Sequence, residues 1–218
     1  MLSPHAPEAG PTTALMRKAY ARWAPVYDVV YDKLTETAAR AAVNAAVEHG
    51  PRILEAGVGT GLSLGYYPSG SFVCGVDLSE DMLKRARMKV LRRRLRHVHG
   101  LQVMDVCRLG YADASFDAVV AQFLITLVPD PEAALSEFLR VVRPGGGIVL
   151  ANHFGQADGP LARVEEAVAP LCTKIGWSSA FKSTRIQAWA ERNGVEFNGV
   201  VPTFPGGFFK ILRMKKVG

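Results

Sequence analysis

Apolar residues along this chain follow two rhythms, and the switch between them lays out the fold. Over 12–24 they recur at helical spacing: Leu15, Met16, Ala19, Tyr20 and Trp23 make one stripe, while Arg17, Lys18 and Arg22 face elsewhere. Thr12 or Thr13 caps that helix, and Pro25 breaks it and opens the next turn. Residues 1–11, with Pro4, Pro7, Gly10 and Pro11, read as a loose tail. An alanine-rich helix is expected over Thr35–Glu48, closed by Gly50. From Arg52 onward, short apolar runs alternate with helical segments. Strands are expected at Arg52–Glu55, Phe72–Val76, Leu101–Met104, Phe116–Phe123 and Ile148–Ala151. Ser79 caps a helix with Glu80 and Asp81 in its first turn. Asp130 caps another, with Pro131 at its first position and Arg143-Pro144-Gly145-Gly146 ending it. Two more helices fall near Pro160–Ile175 and Thr184–Asn193. Val195–Val201 and Phe208–Met214 leave no room for a helix between them, so they pair as an antiparallel hairpin. The alternation implies an α/β fold with a doubly wound, mostly parallel sheet of seven strands and an antiparallel strand near the C-terminus.

The densest chemical signal is Ile53-Leu54-Glu55-Ala56-Gly57-Val58-Gly59-Thr60-Gly61, with Val76-Asp77 ending the next strand. Glycines in a strand-to-helix turn let the backbone approach a ligand where a side chain would clash. An acid at the tip of the following strand suits ribose hydroxyls. The dinucleotide fingerprint G-x-G-x-x-G is not met, because Leu62 holds the place of its last glycine. No phosphate loop of the G-x-x-x-x-G-K-[ST] type occurs. Glu55 would repel a phosphate but suits an amino group. A ligand with a ribose and an ammonium but no phosphate is S-adenosylmethionine. The plainer alternative is an ordinary glycine turn of an α/β protein.

This stretch resembles motif I of the class I methyltransferases, and the resemblance extends over residues 50 to 152. It implies the family's Rossmann-like sheet, ending in one antiparallel strand, and a set of roles. Gly57, Gly59 and Gly61 would lie beneath S-adenosylmethionine, and Glu55 would hold its ammonium. Asp77 would take the ribose hydroxyls. Asp105 and the Val106 backbone N–H would meet the adenine, with Leu78 and Met82 packed on its face. Gln122, at a strand tip, joins the cofactor set. Asp113–Asp117 resembles the turn before the family's fourth strand, and Asp117 reads as a structural turn acid.

Composition bounds the rest. A chain of 218 residues suffices for one domain with a real core. Residues 1–34 read as a tail with an amphipathic helix, serving as lid or membrane contact, and 35–218 as the catalytic domain. No secretion signal is visible, and Ala118–Val128 is too short for a membrane span of about 20 residues. Cys74, Cys107 and Cys172 are widely spaced, suit a reducing cytoplasm and show neither a zinc nor a redox pattern, and no metal is expected. The net charge of +6 is one patch. Lys84, Arg85, Arg87, Lys89, Arg92, Arg93, Arg94 and Arg96 carry no acid among them. Such a run draws nucleic acid or an anionic lipid surface, or is simply a solvated helix face.

The acceptor is specified outside the glycine motif. Tyr20-Ala21-Arg22-Trp23-Ala24-Pro25-Val26-Tyr27-Asp28 resembles the opening of two groups. They are the soluble bacterial phosphatidylethanolamine N-methyltransferases and the quinone-precursor C-methyltransferases. Thr126-Leu127-Val128-Pro129-Asp130-Pro131 and Asn152-His153-Phe154 look more like the phospholipid group. The resemblance implies stepwise N-methylation of phosphatidylethanolamine toward phosphatidylcholine by a peripheral protein of the inner face of the cytoplasmic membrane, without nucleic acid or an obligate protein partner. Trp23 would dip into the interface, with Arg17, Lys18 and Arg22 near phosphates. Equally, that helix is a lid with no membrane contact. Tyr20, Trp23, Tyr27 and Tyr31 are the aromatics placed to reach a methylated cation, or else a core stripe. Tyr27 and Tyr20 join His153 as catalytic candidates. His153 stands at a strand tip to take the amine's proton, a role that a tyrosine, a water chain or the lipid phosphate could also fill. His97 and His99 adjoin the basic run and are expected at the surface. The alternative function is C-methylation of a ubiquinone or menaquinone precursor.

Overall fold

The computed structural model describes residues 35–153, 182–203 and 207–218. Helix α1 covers 35–47. Strand β1 (Arg52–Ala56) leads through the glycine turn into a single 3-10 turn, Ser63–Tyr66. Then come β2 (Phe72–Asp77), α2 (Glu80–Arg93), β3 (Val98–Val103), β4 (Phe116–Gln122), α3 (Pro131–Val141) and β5 (Val142–Asn152). The chain ends with α4 (Ser183–Arg192), β6 (Val195–Thr203) and β7 (Phe209–Lys216).

All seven strands form one sheet in the order β3-β2-β1-β4-β5-β7-β6. Burial follows that order. Every residue of β4, at the centre, is buried, whereas β3 and β6, at the edges, are largely exposed or half-buried. β7 pairs antiparallel with both β5 and β6, so it alone runs against the sheet. The expected hairpin and the antiparallel strand are therefore present. The two faces carry separate cores. Leu135 and Phe138 of α3 pack with Ile186 and Trp189 of α4 on one face. Ala42 and Val43 of α1 pack with Leu83 and Ala86 of α2 on the other.

Caps fall where the polar residues direct. Ser79 accepts from the Met82 N–H at 3.3 Å, and Asp130 accepts from the Ala133 N–H at 3.0 Å. Three expectations need correction. The third strand starts at Val98, three residues early, because Val73 to Asp77 of β2 pair along its whole length. The fifth strand starts at Val142 rather than Ile148; α3 ends at Val141, just ahead of Arg143-Pro144-Gly145-Gly146 as expected, but that segment is no loop. It forms the irregular start of β5, with a register shift between Phe116 and Ala118 of β4 and Gly145 at φ 75°. His97 is buried rather than superficial, its Nε2 2.7 Å from the Leu64 carbonyl, since the chain leaving α2 tucks it under the 3-10 turn. His99 is exposed as expected and stacks on Phe72. The helices expected at 12–24 and near Pro160–Ile175 lie outside the described residues, with Tyr20, Tyr27, Tyr31, Trp23, Arg17, Lys18 and Arg22.

Candidate active site

In an open parallel sheet the carboxyl ends of the strands are where ligands bind. Here those ends surround a cavity of about 390 Å³. Glu55, Gly57, Gly59, Asp77, Leu78, Met82, Asp105, Val106 and Gln122 all line it. Gly61 does not, which corrects its expected place beneath the ligand. A Cβ at Gly61 would lie 2.7 Å from Leu64 Cδ1 and 3.1 Å from Ala86 Cβ. Gly61 therefore lets the turn close on α2, the packing task that the dinucleotide fingerprint gives to its last glycine. Gly59 differs: a Cβ there would meet only Met82 Sδ at 3.8 Å, so its need is the positive φ of 54°.

Asp77 does two jobs at once. One carboxylate oxygen accepts from the Gly59 N–H and the other from the Ser79 N–H, both at 2.8 Å. It thereby joins the glycine turn to the start of α2. Burial raises its pKa, while these backbone N–H groups oppose the rise. Lone pairs remain on both oxygens at the cavity wall. Asp105 is exposed and accepts from the Cys107 N–H at 2.9 Å, which orders the segment that brings Val106 to the cavity.

Glu55 is 1% exposed and sits at the end of β1. Ser63, from the 3-10 turn, donates to its Oε1. Its Oε2 has no hydrogen-bond partner of normal geometry, although the Tyr67 hydroxyl lies near enough to feel its charge. Burial pushes the carboxyl up to about 7. On the adjacent strand, Glu55 pairs in register with Val120, and Gln122 stands two residues further along β4. The Gln122 Nε2 is likewise buried without a partner. Glu55, with the Tyr67 hydroxyl beside its carboxylate, and the unpartnered Gln122 amide nitrogen thus stand at neighbouring strand tips, and both residues line the one cavity.

Phe123 was missed as a site residue, although its place at the end of an expected strand was visible. It lines the cavity with φ 53°, an unusual value for a bulky side chain. Its N–H donates to the Ala151 carbonyl at 2.7 Å, and its ring meets Phe209 edge-on at 5.1 Å. Ser63 and Tyr67 were missed as well, since nothing local in the sequence marks residues that reach back to Glu55.

His153 is not among the cavity-lining residues. It is 8% exposed and stacks on Phe208 with ring centroids 4.0 Å apart. Its Nδ1 lies 2.8 Å from the Phe208 carbonyl. A carbonyl only accepts, so Nδ1 carries the proton there. Asn152 Nδ2 donates to Thr126 Oγ1 at 3.2 Å, which ties together the two segments singled out for the acceptor.

S-adenosylmethionine fits what the cavity leaves unsatisfied. Its amino-acid end carries an ammonium that the Glu55 carboxylate could hold and a carboxylate that the Gln122 amide could meet. Its ribose and adenine match the acids at the next two strand tips.

A methyltransferase domain model matches residues 54–150. The chain is 43% identical over 199 residues to a phosphatidylethanolamine N-methyltransferase of Cereibacter sphaeroides, covering 91% of this chain and 96% of that protein. It is 36% identical to a demethylmenaquinone methyltransferase of Clavibacter sepedonicus, over 80% of this chain and 73% of the relative. Among solved structures, the magnesium protoporphyrin IX methyltransferase of Synechocystis PCC 6803 with bound SAH superposes with a TM-score of 0.70 at 19% identity, covering 94% and 100% of the two chains. The chain belongs to the S-adenosylmethionine-dependent methyltransferases.

Proposed function

We propose that this enzyme methylates the amino head group of a phospholipid, taking phosphatidylethanolamine stepwise toward phosphatidylcholine at a membrane surface. The observation that carries this reading is the 43% identity, spread over nearly the whole of both chains, with a relative named for that substrate. The demethylmenaquinone relative matches less closely and over less of its length.

S-adenosylmethionine supplies an electrophilic methyl group on a sulfonium. The chain's part is to hold the donor, align an acceptor in line with the methyl and keep water out. Glu55 and Gln122 would hold the two charged groups of the donor's amino-acid end. Asp77 would accept from the ribose, while Asp105 and the Val106 N–H would read the adenine. Leu78 and Met82 would cover the ring. As the acceptor nitrogen bonds the methyl carbon, the carbon–sulfur bond breaks and the sulfur keeps its electron pair. Before each transfer the amine must shed a proton, since an ammonium has no lone pair.

His153 would serve this step from behind the cavity lining, by orienting the acceptor side or relaying its proton through an intervening group. Tyr20 and Tyr27 remain the other candidates for that role, with Trp23 and Tyr31 toward the acceptor. Residues 1–34 would close over the cavity or meet the lipid surface, with Arg17, Lys18 and Arg22 near phosphates. Among the described residues no helix is long and apolar enough to cross a membrane.

Incubation with labelled S-adenosylmethionine and a total lipid extract, followed by separation of products, tests the reading. Label in mono-, di- and trimethylated phosphatidylethanolamine is expected. Label in a quinone precursor instead would assign the alternative C-methylation. Donor binding with no labelled lipid would reject the head-group assignment.

A further inference from the structure

Helix α2 has a surface that the cofactor cavity does not use. Its inner side packs Leu83 and Ala86 against the sheet. On the outer side Met88 is 57% and Leu91 is 71% exposed. Helical spacing sets Met88 between Lys84 and Arg92, with Arg85 and Leu91 flanking. The ion pairs of this helix lie toward its start, Lys84–Asp81 at 3.2 Å and Arg87–Glu80 at 2.7 Å. Arg85, Arg92 and Arg94 are exposed, and no described acid pairs with any of them. Unneutralised guanidinium groups and protruding apolar side chains therefore share one face.

That combination selects its partner. RNA would satisfy the arginines but leave Met88 and Leu91 in water. An anionic bilayer satisfies both, since phosphates meet the guanidinium groups while Met88 and Leu91 reach past the head groups. We propose that the outer face of α2 is a docking surface for anionic phospholipid bilayers. This extends the lipid reading from the acceptor to the surface that presents it. Met82 lines the cavity, and Met88 stands six residues on, roughly 9 Å along the helix axis. Leu78, just before the Ser79 cap, is 43% exposed and also lines the cavity. A docked α2 holds the cavity rim close to the head groups.

Sedimentation of the full chain with vesicles tests this, using phosphatidylcholine alone against phosphatidylcholine with about one third phosphatidylglycerol. The unmodified chain is expected to bind the anionic vesicles and to be weakened by salt. Arg85→Gln, Arg92→Gln and Arg94→Gln together should lower that binding about tenfold or more. Met88→Ser with Leu91→Ser should lower it several-fold at low and high salt alike. These side chains are exposed, so melting temperature and donor affinity should stay unchanged in both variants. Unchanged vesicle binding by either variant overturns the proposal, as does a parent chain indifferent to phosphatidylglycerol. Displacement from the vesicles by single-stranded RNA acting through the same arginines overturns it in favour of nucleic acid. Failure of the head-group reading looks different: vesicle binding persists, while detergent-dispersed lipid gains no methyl group.

Discussion

Glu55 and Asp117 are both buried carboxylates, 1% and 4% exposed, on neighbouring parallel strands. They lie at opposite ends of the sheet, and their surroundings differ completely. Asp117 accepts from the Arg52 N–H at 2.8 Å, from Arg52 Nη2 at 3.1 Å and from Arg143 Nε at 2.7 Å. Burial would raise its pKa, but the bonds from Arg52 and Arg143 hold it below the ordinary carboxylate range. Glu55 has the Ser63 and Tyr67 hydroxyls beside it and no cation, and burial pushes it up to about 7. The protein completes the shell of one acid and leaves the other open. A finished shell marks an acid that holds the fold together. An open one, facing a cavity, marks an acid whose partner arrives from outside.

Breaking the finished shell should produce the largest effect. Asp117→Ala strips two arginines and the Arg52 N–H of their acceptor, and should cost about 3 kcal/mol of stability by denaturant unfolding. Because the folded pKa of Asp117 is depressed, its stabilisation is present above the unfolded value near 3.8 and is lost as pH falls through the folded value. The variant should therefore lose the steepest part of the parent's acid unfolding. Its folded form should bind the donor normally, and a large loss of affinity would erase the distinction between the two ends. At the open end, Asp77→Ala should weaken donor binding by about 1–3 kcal/mol in calorimetry, the range for bonds to a charged group. Unchanged affinity would remove Asp77 from the site.

How the two ends could be read from the sequence follows from the range of the interactions involved. Strand positions, caps and the glycine turn are set by residues within a few positions of one another. Those features, with Glu55, Asp77, Asp105 and Gln122 at strand tips, were visible in the chain. Asp117 could be read as structural from its turn, but its partners could not: Arg52 is 65 positions away and Arg143 is 26. His97 looked superficial because its neighbours are arginines, yet its contact is the Leu64 carbonyl, 33 positions back. Gly61 matched a motif as a ligand-facing glycine, whereas only the placement of Leu64 and Ala86 shows that it serves packing. His153 was rightly placed at the end of β5, but the turn of its ring toward Phe208 depends on β7, a strand that joins the sheet much later in the chain.

The smallest effect is the most diagnostic, because it concerns the ionisation of Glu55 itself. With its folded pKa near 7 against an ordinary 4.5, Glu55 contributes stability below about 4.5 that disappears as pH rises through 7. The donor-free protein should therefore lose part of its thermal stability across that window, and Glu55→Gln should be spared the loss. Donor binding has the opposite sign, because an ammonium needs the carboxylate. Affinity should climb about tenfold between pH 6 and 7.5. It should fall again above about pH 8, where an α-amino group loses its own proton. Calorimetry across this range should give a bell-shaped profile. Glu55→Gln should flatten only the rising limb, because the falling limb belongs to the donor. It should also weaken binding at the optimum by about tenfold, roughly 1.4 kcal/mol. A rising limb that survives Glu55→Gln would assign the ionisation to another group, and the contrast with Asp117 would then have to rest on bonding geometry alone.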